Sequence, residues 1–187
     1  MLLTSTHECT ERVTTLWLVE PFSLAQVFPR NWWVRRKIDP AETVWEHSIS
    51  AMLLVYWFRQ QIEIVGGNVG IIQDTLLIHD LAESYAWVGD ETPHDTDYWS
   101  VDHRNNEEAT IRRILSQNSN LIELWLDYEE GRTLDGRLAM EFDKLQAISQ
   151  ARHYEDTLGI PWLTEEFFTN SVTKKIKYGQ ISYFSML

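Results

Sequence analysis

The chain has 187 residues, enough for one domain with a sizeable core, and 44% of them are hydrophobic, nine Trp included, which excludes a disordered chain. A formal net charge of −12 argues against broad electrostatic binding to duplex nucleic acid, so an anionic ligand needs a local basic pocket or a metal. Cys9 is the only cysteine, which rules out an intramolecular disulfide and a thiolate metal cluster and fits a reducing, cytoplasmic setting.

Glu8, Glu11 and Arg12 interrupt the N-terminus early, so no signal peptide is expected. Residues 8 to 27 place Val13, Leu16, Trp17, Val19, Leu24 and Val27 at helical spacings, with Pro21 dividing them into two short helices. Phe28 to Arg36 lacks helical periodicity and mixes aromatic with basic residues. It reads either as a surface loop anchored by tryptophans or as a wall that stacks a base and contacts a phosphate.

Asp39 and Pro40 suit a cap and first helical position, so a helix is expected from there through His47 to about Gln61. Trp45, Ile49, Met52, Leu53 and Tyr56 follow its three-and-four pattern. Ile49 to Phe58 is apolar at nine positions of ten, far short of a bilayer span, and no membrane partner is expected. Gly66-Gly67-Asn68 ends this helix, and a second, antiparallel one is expected from about Val69 to Trp87.

That second helix carries His79, Asp80 and Glu83 at spacings that let all three border one cavity. The grouping suits a divalent ion with an acid–base carboxylate. A buried His-Asp hydrogen bond with a solvated Glu is the alternative. Asp90 follows as a turn residue that is also available to the same cavity.

Two more helical patterns lie between about 100 and 130, separated by Ser116 to Asn120 and ended by Gly131. From about Leu134 to Tyr154, Leu138, Phe142, Leu145 and Ile148 form an apolar stripe with Asp143 beside it. An acid there needs a cationic partner, either Lys144 or a metal. Pro161 and Thr164 open a last segment, helical to about Lys177. No stretch alternates as a strand does, and the expected fold is all-α over a single domain, 1–187.

His47, the His79-Asp80 pair and Asp143 together offer two imidazoles and two carboxylates, a donor set suited to a divalent ion. At this point the sequence resembles the HD-domain phosphohydrolase superfamily, whose signature is a His, a later His-Asp pair and a distant Asp. Arg30-Asn31-Trp32-Trp33-Val34 and Glu42-Thr43-Val44-Trp45-Glu46-His47-Ser48 look like stretches of its 5′-deoxynucleotidase branch. So do His79-Asp80-Leu81-Ala82-Glu83 with Gly89-Asp90, and the late segments Leu124 to Gly131 and Asp143-Lys144-Leu145, ending in Gln150-Ala151 and Tyr154-Glu155. The similarity runs over roughly residues 24 to 156.

The resemblance implies an HD-domain bundle of about six to eight helices around a metal site, with His47, His79, Asp80 and Asp143 as ligands to one divalent ion. Glu83 and Asp90 would be the acidic pair beside it, Arg30 would contact a 5′-phosphate, and Trp33 would border the nucleoside. The ion would be cobalt, manganese, zinc, nickel, iron or magnesium, since mixed imidazole and carboxylate ligation accepts each. The implied substrate is a deoxynucleoside 5′-monophosphate, and the implied assembly a homodimer or higher homo-oligomer. A deoxynucleoside triphosphate triphosphohydrolase using Arg35 and Arg36, and a non-catalytic nucleotide sensor, are the competing expectations. The stretch from Glu83 to Asp90 is longer than the family's, which would turn Asp90 out of the site or reshape the pocket with Trp87.

Overall fold

Thr43 decides where the long apolar run becomes helical. Its Oγ1 accepts from the Glu46 backbone N–H at 3.2 Å, while Glu46 Oε2 accepts from the Thr43 N–H at 2.8 Å, a reciprocal capping box. The computed structural model describes residues 23–90 and 101–167, and in it helix α2, Val44–Trp57, starts at this box and not at Pro40. The Asp39-Pro40 bond is cis. Just upstream, the backbones of Pro29 and Thr43 form an antiparallel bridge, with Arg30 N donating to Glu42 O at 2.9 Å and Val44 N to Phe28 O at 3.0 Å.

Between the two halves of that bridge lies α1, Asn31–Arg35, a short helix where a loop was one expectation. Phe58 interrupts the central helix, and α3, Arg59–Ile64, continues it. Asn68 caps α4, Val69–Ile78, through a bond from the Ile71 N–H at 3.2 Å. The expected helix to Trp87 therefore stops early: His79 is the last helical-range residue, and a 3-10 helix, Leu81–Ser84, follows. The later elements are α5, Val101–Ile114; α6, Ser119–Glu130; α7, Leu134–Leu158; and α8, Leu163–Phe167. The expected extension to Lys177, and the helices expected before residue 23, lie outside the described residues. Among the described residues there is no strand beyond the isolated bridge, and the fold is all-α.

Helices α2, α4 and α7 pack on one another, and α6 lies against α4 and α7. Ala51, Val55, Ile72, Leu76, Tyr128, Leu138 and Phe142 form the core between them, each large aliphatic residue contributing about 1.5–3 kcal/mol by leaving water. A second cluster, Trp32, Trp33, Ile38, Ala151, Tyr154, Leu163 and Phe167, fastens α1 and α8 to the far half of α7.

The turn between α6 and α7 is tight. Gly131 has φ 60°, and Arg132 N bonds to Asp127 O at 3.1 Å, closing α6 in a left-handed cap. A Cβ on Gly136 would lie 2.4 Å from that same carbonyl oxygen. In an open helix Gly→Ala gains about 1 kcal/mol, but here backbone must move. Gly136→Ala is expected to destabilise the protein by about 1–2 kcal/mol, within the overpacking range, read as a lower urea midpoint.

Glu141 on α7 is 9% exposed, and burial pushes its carboxyl up to about 7, with Arg137 one turn earlier offsetting only part of the effect. The folded chain therefore keeps a proton that the unfolded chain releases near its ordinary value of 4.5. Stability is fully present below that value and falls as pH rises towards 7. Glu141→Gln is expected to flatten this slope, raising the urea midpoint at pH 8 and leaving it nearly unchanged at pH 4.

Candidate active site

The end of α4 supplies the first two groups. His79 Nδ1 donates to Leu76 O at 2.9 Å, a carbonyl the terminating helix leaves free, and Trp125 Nε1 donates to His79 O at 3.1 Å. These bonds leave His79 Nε2 bare. His47, in the first turn of α2 and wholly buried, bonds through Nδ1 to Gln146 Oε1 at 2.5 Å, which likewise directs its Nε2 inward.

The two Nε2 atoms lie 3.3 Å apart. Asp143 Oδ1, from the middle of α7, is 3.1 Å from His47 Nε2 and 3.8 Å from His79 Nε2. Asp80 Oδ2 is 3.2 Å from His79 Nε2 and 3.6 Å from His47 Nε2. The other oxygen of Asp143 accepts from Tyr128 OH at 2.7 Å and pairs with Lys144 Nζ at 2.6 Å. Of the two expected cationic partners of Asp143, Lys144 is thus at Oδ2, while Oδ1 faces the two imidazoles.

Three of these atoms, from His47, His79 and Asp80, fit a divalent ion. Atoms bound about 2.1 Å from one centre lie about 3.0 Å apart at right angles and about 3.4 Å apart at tetrahedral angles. His47, His79 and Asp80 form a group with metal-ligand spacing. Asp143 Oδ1 is buried with no hydrogen-bond partner, a costly state that a cation relieves. Without a cation, burial works to lower the His79 pKa, but Asp80 and Asp143 outweigh it and raise it to about 9. Asp80 is held well below the carboxylate range: burial opposes this, and His79 and Arg30 prevail. Asp143 is also held low against burial, by Lys144 and both imidazoles.

The structure brings Arg30, Glu83 and Asp90 to the same place. Arg30 Nη1 hydrogen-bonds Asp80 Oδ2, and its Nη2 is 3.7 Å from Asp90 Oδ1. Asp90 is 4% exposed; its Oδ2 accepts from the Asn31 N–H at 2.5 Å and its carbonyl from Asn31 Nδ2 at 2.7 Å. The longer stretch after Glu83 has not turned Asp90 away. Trp87 is 56% exposed and bonds Thr110 Oγ1 at 3.1 Å, with the Arg113 guanidinium over its ring. Glu83 has a buried, unpartnered Oε2, and burial, then Asp80 and Asp90, push its carboxyl well above the ordinary range, with Arg30 opposing.

Trp33 sits elsewhere. It is 1% exposed, stacks on Phe167 at 6.0 Å, meets Tyr154 edge-on at 5.4 Å and donates to Glu42 Oε2 at 3.1 Å. Its ring is a core element behind the site, with no open face for a nucleoside. Glu42, Tyr128 and Gln146 were not singled out from the sequence. Gln146 could have been, standing one turn after Asp143 on α7. Tyr128 arrives from another helix and leaves no local signal.

A family model described as the HD domain matches residues 25–181. The 5'-deoxynucleotidase HDDC2 of Danio rerio is 30% identical over 150 residues, covering 78% of this chain and 72% of that protein. The Homo sapiens protein of the same name is 28% identical over 150 residues, covering 78% and 71%. In fold, the chain is similar to the PH0347 protein of Pyrococcus horikoshii, with a TM-score of 0.68 at 23% identity, covering 85% of this chain and 88% of that one. By the family model and these relatives together, the chain belongs to the HD-domain family, on the branch of its 5′-deoxynucleotidase relatives.

Proposed function

We propose that the protein is a metal-dependent 5′-deoxynucleotidase that converts deoxynucleoside 5′-monophosphates to deoxynucleoside and phosphate. The observation that carries this reading is the convergence of His47, His79 and Asp80 ligand atoms, with Asp143 Oδ1 next to His47, beside a buried guanidinium. His47, His79, Asp80 and Asp143 would hold the ion, whose chemistry is Lewis acidity at a phosphoryl oxygen and a more acidic water. Arg30 offers its fork to the phosphate, and burial keeps that charge from being screened. Glu83 is placed to orient the attacking water and take its proton at Oε2, and an acid of the Glu83–Asp90 pair returns a proton to the leaving 5′-oxygen of the deoxyribose. Asp90 orients Arg30 and completes the acidic pair.

Arg36, which the triphosphate reading enlists, pairs with Glu166 on α8. No described helix is long and apolar enough to cross a membrane. A cytoplasmic setting and a homo-oligomer complete the proposal. The exposed Leu53, Tyr56, Trp57 and Ile64 on α2 and α3 support self-association.

The test is a panel of deoxynucleoside mono- and triphosphates with each of cobalt, manganese, zinc, nickel, iron and magnesium. Orthophosphate from the monophosphates, abolished by a chelator and restored by metal, is the expected result. Triphosphate release with no orthophosphate from monophosphates would overturn it, as would tight nucleotide binding without hydrolysis across all metals.

A further inference from the structure

Behind His47 runs a buried chain of hydrogen bonds that the reaction does not itself require. His47 Nδ1 is 2.5 Å from Gln146 Oε1, Gln146 Nε2 is 2.6 Å from Glu42 Oε1, and Trp33 Nε1 is 3.1 Å from Glu42 Oε2. Glu42 is 6% exposed, Gln146 3% and Trp33 1%. The Glu42 backbone N–H is itself tied to Tyr154 OH at 2.9 Å, which anchors the main chain beneath the carboxylate.

Donor and acceptor roles along this chain are fixed from one end. The Trp33 indole N–H only donates and an ionised carboxylate only accepts. Glu42 therefore compels Gln146 to turn its NH2 towards the carboxylate. The amide oxygen is then left facing His47, and an amide oxygen only accepts, so His47 must carry its proton on Nδ1. In the neutral ring its Nε2 is then left as a lone pair directed towards Asp143 Oδ1 and the His79 ring.

We infer that Glu42, acting through Gln146, is a positioning residue that locks the His47 tautomer able to bind a metal ion. The inference rests on the proposed metal site. Glu42 touches neither substrate nor ion. It acts by denying His47 the alternative tautomer, whose Nε2–H would point into the ligand cluster.

The chain also shows how to break and restore this polarity. In Glu42→Gln, the new amide takes the Trp33 N–H on its oxygen and turns its NH2 to Gln146. Gln146 then flips, its NH2 faces Nδ1, and the proton moves to Nε2. The affinity for Mn²⁺ or Zn²⁺ is expected to fall about 10- to 100-fold, the usual cost of losing an outer partner of a ligating His. In the double variant Glu42→Gln/Gln146→Glu the carboxylate sits next to His47 and accepts from Nδ1, while the amide at 42 donates to it. Every donor again meets an acceptor, and affinity is expected to return to within about threefold of the original, a small fraction of the single-variant loss.

The experiment is a competition titration of each metal-free protein with a chromophoric chelator. It is paired with ¹⁵N NMR of the His47 ring in the metal-free protein at a pH where the ring is neutral. The expected signature is a protonated Nδ1 in wild type and in the double variant, and a protonated Nε2 in Glu42→Gln. Wild-type affinity in Glu42→Gln, or equal weakening in the single and double variants, would overturn the inference. So would an Nε2–H tautomer in the wild type, a measurement that needs no variant to fold. Failure of the wild type to bind any metal would instead overturn the metal site itself, and the NMR result would then judge the tautomer lock separately.

Discussion

Asp143→Asn is expected to abolish metal binding and lower kcat by at least about 10²-fold, the scale of losing one preorganised electrostatic element. The change is almost isosteric, so its effect lies in polarity. One Asp143 oxygen accepts from Tyr128 OH and faces Lys144 Nζ at 2.6 Å, both donors, and this side will claim the amide oxygen. The NH2 must then face His47 Nε2, 3.1 Å from the present Oδ1. It can donate to that lone pair, so the variant should fold, with a donor group where the cation belongs. Near-normal circular dichroism with lost metal binding and lost phosphate release is the expected pattern. A variant that keeps a tenth of wild-type kcat at saturating metal would remove Asp143 from the ligand set.

Arg30→Ala should act on stability and on substrate binding together. The guanidinium, 15% exposed, bonds Asp80 and lies 3.7 Å from Asp90. Its removal leaves the buried Asp80 and Asp90 carboxylates without that cation, and breaking a buried pair from one side costs about 3–5 kcal/mol. The metal-free variant is expected to show that loss in urea unfolding, with part of it recovered when metal neutralises Asp80. Asp80 is depressed by His79 and Arg30, against burial, so its stabilisation is present above its ordinary value of 3.8 and is lost as pH falls below it. The variant, with a less depressed Asp80, has less to lose on acidification. KM for a monophosphate is expected to rise at least about tenfold, as loss of a charge-assisted hydrogen bond implies. An unchanged KM would move the phosphate away from Arg30.

The proposed ligands were legible because each is a charged or imidazole side chain on an apolar helical pattern. His79-Asp80 beside Leu76 and Ile78 is costly without a partner, and Asp143 stands beside the stripe of Leu138 and Phe142. Where α2 begins was less legible, because two local signals compete. Asp39-Pro40 has the composition of a helix start, but Thr43 and Glu46 satisfy two backbone donors reciprocally, and they prevail. The early end of α4 depends on Trp125 reaching the His79 carbonyl from another helix, which no local pattern encodes. Trp33 was misplaced for a related reason. An aromatic among arginines looks like a surface, yet Tyr154 and Phe167, far along the chain, enclose it.

The backbone pairing of Pro29 with Thr43 has a mechanical consequence. Arg30 hangs from one side of this clasp and His47 from the other, with Arg30 N bonded to Glu42 O at 2.9 Å across it. The proposed anchor for the phosphate and the helix carrying a proposed ligand of the cation are thereby bolted to a single mount. The clasp ties Arg30 directly to the start of the helix that carries His47, so their spacing is built into the backbone pairing of the folded chain.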